Sequence, residues 1–341
     1  MDKISKMIQK RFANIFVAIV SEENEYVIKY IVVKKGNIVS KDEKRFSMGE
    51  DKKLSSDTKG FLHSFQKDYK FVYISYLLDS LGQGCISTCS NEKIEEYKID
   101  KNNIFQVCVE NSWMVYTSKT DIKWIKSLFG DIGLDFIFSP YIVLNNFINK
   151  NKDCNKQTLH FLYMENSITI LIFDEKKLIF NAFFKIPYKE FNFDNDEEFK
   201  PESSEDISDG IELDNIESEE DEFENFVDIA KLDDDSDDEI DEEDDILSSA
   251  KEDIKSSALE DLELYGKEMI IFKYLHSAIE EYYKNDKYES EFLEDIIIYN
   301  DSNISNDIIT MIENDLFLNV EIHTVDAKEE MINMSIEEVD F

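Results

Sequence analysis

The chain has 341 residues, 42% hydrophobic and 13% aromatic, enough for two domains with real cores. Its 76 acidic and 37 basic residues give a net charge of −39, which excludes a nucleic-acid-binding surface and argues against adsorption of the bulk of the protein to anionic lipid. Of that charge, −26 falls between Asp194 and Asp245 (28 acidic and 2 basic residues), which leaves an ordinary −13 for the rest.

Met1–Arg11 reads as a short amphipathic helix, with Ile4, Met7 and Ile8 opposite Lys3, Lys6, Lys10 and Arg11, docked on the protein rather than touching a membrane because it is short. It lacks the apolar stretch of a secretion signal. Three strand-like runs follow at Ile15–Val20, Tyr26–Lys34 and Asn37–Phe46, and short polar turns make them an antiparallel meander. A helix is expected over Ser56–Gln66 and a strand over Phe71–Leu78, ending in a plain turn at Gly82-Gln83-Gly84. That turn opens no helix and has no Lys-Ser or Lys-Thr after it, so it is no phosphate loop. Phe105–Val109 and Trp113–Tyr116 read as a hairpin. Thr120–Phe129 reads as a helix closed by Gly130 and Gly133. A strand at Leu134–Phe138 and a helix at Tyr141–Ile148 end the first half.

The pattern then restarts. Leu159–Tyr163, Ser167–Phe173 and Lys177–Ile186 form a second meander. After the acidic stretch come a long helix near Leu259–Tyr283, an isoleucine strand at Ile296–Ile298, a helix from Asn306, a strand at Val320–Thr324 and a last helix near Ala327–Ser335. The duplication is one of architecture, without detectable sequence repetition.

No run of 18 apolar residues exists, so no helix is expected to span a membrane. Cys85, Cys89, Cys108 and Cys154 form no CxxC pair and predict reduced thiols in a cytoplasmic protein. His63, His160, His276 and His323 stand at no metal-ligand spacing, so a zinc site is not expected.

Two stretches sharpen the duplication. "WMVYTSKTDIKWIKSLFGDIGLDFIFSPYIVL" (Trp113–Leu144) resembles the PilM family of type IV pilus assembly, with a strand, a helix, a Gly-Leu turn, a second strand and a departing helix. "LHFLYMENSITILIFDEKKLIFNAFFKIP" (Leu159–Pro187) resembles that family's second-domain hairpin, and the cytoplasmic domain of the type II secretion L component is similar in plan. The resemblance implies an actin-like α/β fold, two ribonuclease-H-like domains with mixed sheets flanking a cleft. The first would span 1–150 and the second 151–188 and 257–341, with a disordered acidic insertion at 189–256.

ATP-binding members of such families resemble actin in carrying Asp-x-Gly at the first turn of each domain and a glycine pair near the adenosine. The glycines let backbone N–H groups face phosphate. Here the corners are Ser21-Glu22-Glu23-Asn24, Glu165-Asn166 and Asn300-Asp301-Ser302-Asn303, without glycine. Glu22 and Glu23 would repel a triphosphate at close range. The resemblance therefore implies a non-catalytic, cytoplasmic scaffold of a type IV pilus, type II secretion or DNA-uptake machine, with no cofactor. It would bind an inner-membrane assembly protein, and the assembly ATPase as well, and sit at the membrane through a partner without inserting. The alternatives are an actin-like ATPase that uses ATP and Mg through divergent corners, and an acidic protein that sequesters a basic partner.

Within the acidic stretch, Asp233, Asp235, Asp237 and Asp244 stand at calcium-loop positions. Asp238 stands where the sharp turn needs glycine, so no metal is expected. Phe223, Phe226, Val227 and Ala230 would share one helical face, a candidate partner motif against an inert solubilising loop.

Overall fold

The computed structural model describes residues 11–92, 94–97, 99–151, 157–174, 176–187 and 266–339. The Met1–Arg11 helix (Arg11 apart), the acidic insertion, its calcium-like loop and its apolar motif lie outside the described residues.

The first half opens with β1 (Ala13–Glu22), β2 (Glu25–Lys34) and β3 (Asn37–Ser47). α1 (Ser56–Asp68) follows, started by the Ser55 side chain accepting from the Thr58 N–H. Then come β4 (Phe71–Leu77), β5 (Gln83–Ile86), β6 (Ile104–Val109), β7 (Trp113–Ser118), α2 (Lys119–Phe129), β8 (Phe136–Phe138) and α3 (Pro140–Lys150). Gly130 and Gly133 end α2 at positive φ, +48° and +83°. Pro140 opens α3 behind the Ser139 cap, where its missing N–H costs nothing.

The second half contains β9 (Thr158–Met164), β10 (Ser167–Asp174), β11 (Lys177–Lys185) and α4 (266–284). β12 (Asp295–Asn300), α5 (Asn306–Asp315), β13 (Asn319–Thr324) and α6 (Ala327–Glu338) complete it.

Each half builds a five-stranded sheet by the same rule. The orders are β3-β2-β1-β4-β8 and β11-β10-β9-β12-β13. In both, the three meander strands are antiparallel and the last two add in parallel. The central strands are buried on both faces, so they read as continuous apolar runs rather than alternating ones.

The outer face of the first sheet packs on α1 and α2 through Leu62, Phe65, Ile125, Leu128 and Phe129. That of the second packs on α4 and α5 through Ile271, Leu275, Tyr282, Ile308 and Ile312. One further core joins the two inner faces. Into it each half sends its last helix across to the other: α3 lies on β9 and β10, and α6 lies on β1, β2 and β4. Separating the halves would therefore expose Tyr141, Leu144, Phe147, Met331 and Ile332, all buried there.

The three-stranded sheet β5-β7-β6 corrects two expectations. Gln83 and Gly84 form a strand rather than a turn. Gly84 pairs with Tyr116, and a Cβ at Gly84 would stand 2.6 Å from the Tyr116 hydroxyl, so the missing side chain makes room for the ring across the ladder. Nor are all thiols reduced. Cys89, leaving β5, is bonded to Cys108 on β6, with Cα atoms 5.4 Å apart. The hairpin brings together two residues that sequence spacing did not relate. Cys85 is a buried free thiol, and Cys154 is outside the described residues.

Candidate functional site

The carboxyl ends of β1, β4, β9 and β12 point toward one cleft between the halves. β1 ends at Glu22, and the hairpin turn places Glu23 at φ +47°, a region costly for a glutamate. On the other side the β9–β10 turn carries Glu165 and Asn166. The two turns touch: the Asn166 side-chain N–H donates to the Ser21 carbonyl at 3.1 Å. The Ser21 hydroxyl donates to Asp79 at 3.3 Å, and Asp79 pairs with Lys185 of β11 at 2.9 Å. Glu165 is held by Lys267 of α4. Burial first, then the nearby Glu165, raises the Glu23 carboxyl above its ordinary range.

The third corner closes from β12. Asn300 ends the strand, and its side-chain oxygen accepts from the Ile304 N–H at 3.1 Å. Asp301 donates its N–H to the Tyr163 carbonyl at 3.0 Å, Ser302 lies in the bend, and Asn303 takes φ +50°. Asparagine tolerates that left-handed conformation, which is how this corner turns without glycine.

Two carboxylates cap α6 here. Asp301 accepts from the Ala327 N–H and Asp326 from the Glu329 N–H, both at 2.7 Å. A helix N-terminus is a natural phosphate seat, and in this chain it is filled by the protein's own carboxylates. Lys328, nearly buried, then reaches between the halves, 3.4 Å from Glu22 and 3.9 Å from Asp301. Glu22 is 8% exposed and also meets Arg45 at 3.0 Å. Burial alone would lower the Lys328 ammonium, but Asp301 and Glu22 more than offset it and hold its pKa above the ordinary value. Burial keeps Asp301 above the usual carboxylate range despite Lys328.

The structure thus brings Ser21 to Asn166, and Glu22 to Asp301 through Lys328. Sequence reasoning did not single out Lys328, Asp79, Lys185 or Arg45, and a lysine one residue inside a helix carries no marker of a clasp. Around the cleft, the Asn181 amide accepts from the Cys85 N–H and donates to the Cys85 carbonyl at 3.1 and 3.2 Å, joining β11 to β5. Among the described residues no three His, Cys, Asp or Glu side chains converge as a metal cluster.

A family model described as Domain of unknown function (DUF8569) covers residues 12–145, and one described as Domain of unknown function (DUF8341) covers residues 159–340. The chain belongs to the DUF8341 family. No curated protein matches the DUF8341 chain. Among solved structures it is similar to a Bacteroides thetaiotaomicron VPI-5482 protein with an actin-like ATPase fold and unknown function, at 9% identity, over 98% of this chain and 99% of that one, TM-score 0.50. It is also similar to a chain of a PilM–PilN type IV pilus biogenesis complex, at 9% identity, over 96% and 94% of the two chains, TM-score 0.50. The DUF8341 protein therefore has a PilM-like, actin-like fold. At such identity the likeness speaks to fold alone.

Proposed function

We propose that this protein is a non-catalytic, actin-like assembly component of a type IV pilus or related secretion or DNA-uptake machine, recruited by an inner-membrane partner on the cytoplasmic side. The observation that carries the reading is the clasp of Lys328 on Glu22 and Asp301. A nucleotide would have to displace an internal ion pair and then meet Glu22, Glu23, Glu165 and Asp301. The fold shared with a chain of the PilM–PilN complex supports the choice of machine.

For the partner, the fold offers a strand edge that no other described strand pairs. β6 is the outer strand of its sheet, and Phe105 and Val107 are exposed two residues apart, hence on one face. An extended cytoplasmic tail adding to β6 would gain main-chain hydrogen bonds and set its apolar side chains against these two.

No helix among the described residues is long and apolar enough to cross a membrane. Lysines near an anionic surface contribute about 1 kcal/mol each at most, against a net charge of −39. The protein is expected to co-sediment with vesicles that carry a single-span partner with a short cytoplasmic tail, and to stay in the supernatant with protein-free anionic vesicles. Strong flotation on protein-free vesicles at physiological salt would overturn recruitment by a partner.

A further inference from the structure

Among the described residues the most exposed large apolar side chains are Phe292 and Phe317, 74% and 78% exposed. They lie three residues before β12 and two before β13. Those strands are parallel, with Asp295 opposite Asn319, so both rings emerge at the same end of the second sheet. That end is opposite the cleft, which Asn300 marks at the other terminus of β12.

Neither ring sits on a loose segment. Phe292 is flanked by Glu291, whose N–H donates to the buried Gln157 side chain at 3.2 Å and the Tyr282 hydroxyl at 3.0 Å. On its other side is Leu293, 1% exposed, whose N–H donates to the Tyr283 hydroxyl at 2.8 Å. Phe317 precedes the buried Leu318 and is held at φ +56°. A bulky side chain rarely adopts that conformation unless the surroundings fix it. The Asn319 N–H donates to the Glu294 carbonyl at 2.8 Å, tying the two segments together. Two apolar rings are therefore presented to solvent on pinned backbone, with the exposed Tyr283 beside them.

The rim decides the partner. Glu291, Glu294, Glu313 and Asp315 are exposed around these segments. Among the described residues, the basic residues at this end include Lys177, paired with Glu289, Lys284, paired with Glu280, and Lys287. A second copy would bring the same acidic rim, and anionic lipid would bring like charge. An apolar surface flanked by lysine or arginine complements it. We propose that Phe292 and Phe317 form a docking platform for a basic amphipathic segment of a partner protein, separate from the cleft and from the β6 edge.

The test is fluorescence anisotropy at physiological salt, with the full chain and a labelled amphipathic Leu/Lys peptide of about 18 residues, five helical turns. F292A/F317A is expected to weaken binding at least tenfold, with a Leu/Glu peptide of equal length failing to bind either protein. F292A alone, at an ordinary φ, is expected to lose part of that affinity without touching the strained turn. Both variants should keep the wild-type circular dichroism and urea midpoint, because the rings removed are exposed. Equal binding by wild type and F292A/F317A would overturn the platform, since the peptide would then be reading acidic charge alone. A dimer that F292A abolishes, or anionic-vesicle binding that F292A abolishes, would assign the surface to a second copy or to lipid and overturn the proposal as well.

Discussion

Lys328→Met is expected to lower the free energy of unfolding by about 3 kcal/mol, the lower end of the cost of removing one partner of a buried charge pair. Lys328 faces two carboxylates that water barely reaches, Glu22 and Asp301. Methionine keeps the apolar stem and removes only the ammonium. The loss stays at the lower end because Glu22 retains Arg45 and Asp301 retains the Ala327 N–H. Urea unfolding measures it. The informative companion is K328M/E22Q/D301N, which removes the charges together and should recover most of the stability, because a neutral cluster has no buried charge to leave unpaired. A loss under 1 kcal/mol in K328M would mean that Lys328 is solvated in solution and the clasp open.

The second large effect concerns acid. His160 on β9 is 1% exposed, and among the described residues neither ring nitrogen has a hydrogen-bond partner. Its imidazole lies 6.3 Å from the Phe173 ring and 6.1 Å from the Tyr299 ring, centre to centre. Burial in this apolar setting penalises the charged form and lowers its pKa to about 4. A histidine that resists protonation in the folded state binds its proton more readily when unfolded. Its effect is therefore absent above about pH 6.5, grows as pH falls and is complete near pH 4. At pH 5 the wild type should have lost about 2 kcal/mol on this account, from 1.4 kcal/mol per pH unit. His160→Leu keeps an apolar filling and removes the titration. It should be more stable than wild type by about that amount at pH 5, with the gap shrinking toward pH 7. Parallel stability curves for the two proteins from pH 7 to 5 would show that His160 is hydrated or hydrogen-bonded.

The strands were legible because physics writes them locally. The runs Ile15–Val20, Leu159–Tyr163 and Ile296–Ile298 are dominated by β-branched, aromatic and leucine residues, too short for buried helices, and bounded by polar turns. The repeat of a meander followed by alternating helices and strands gave the paired sheets for the same reason. The exchange of α3 and α6 between halves was not legible, because periodicity shows that a helix has an apolar face and not which sheet covers it. The Cys89–Cys108 bond depends on how β5, β7 and β6 stack, which spacing does not encode. In the sequence Gly84 reads as a turn residue because glycine more often marks one. Here the cause is the Tyr116 ring lying across it.

At the cleft the sequence showed what was missing and not what had replaced it. Absent glycines at Ser21–Asn24, Glu165–Asn166 and Asn300–Asn303 could be counted directly. The replacement is a set of long-range pairs, Lys328 with Glu22, Lys185 with Asp79 and Asn166 with Ser21. Their partners lie more than a hundred residues apart, and each residue alone reads as an ordinary surface polar group.

Titration calorimetry of the full chain with Mg-ATP at millimolar ligand tests the central claim most directly, that the cleft is occupied by the chain's own ion pairs. The account predicts no binding heat beyond dilution and no phosphate release on incubation. A micromolar dissociation constant would contradict it, and phosphate release above the buffer rate would make the protein an ATPase.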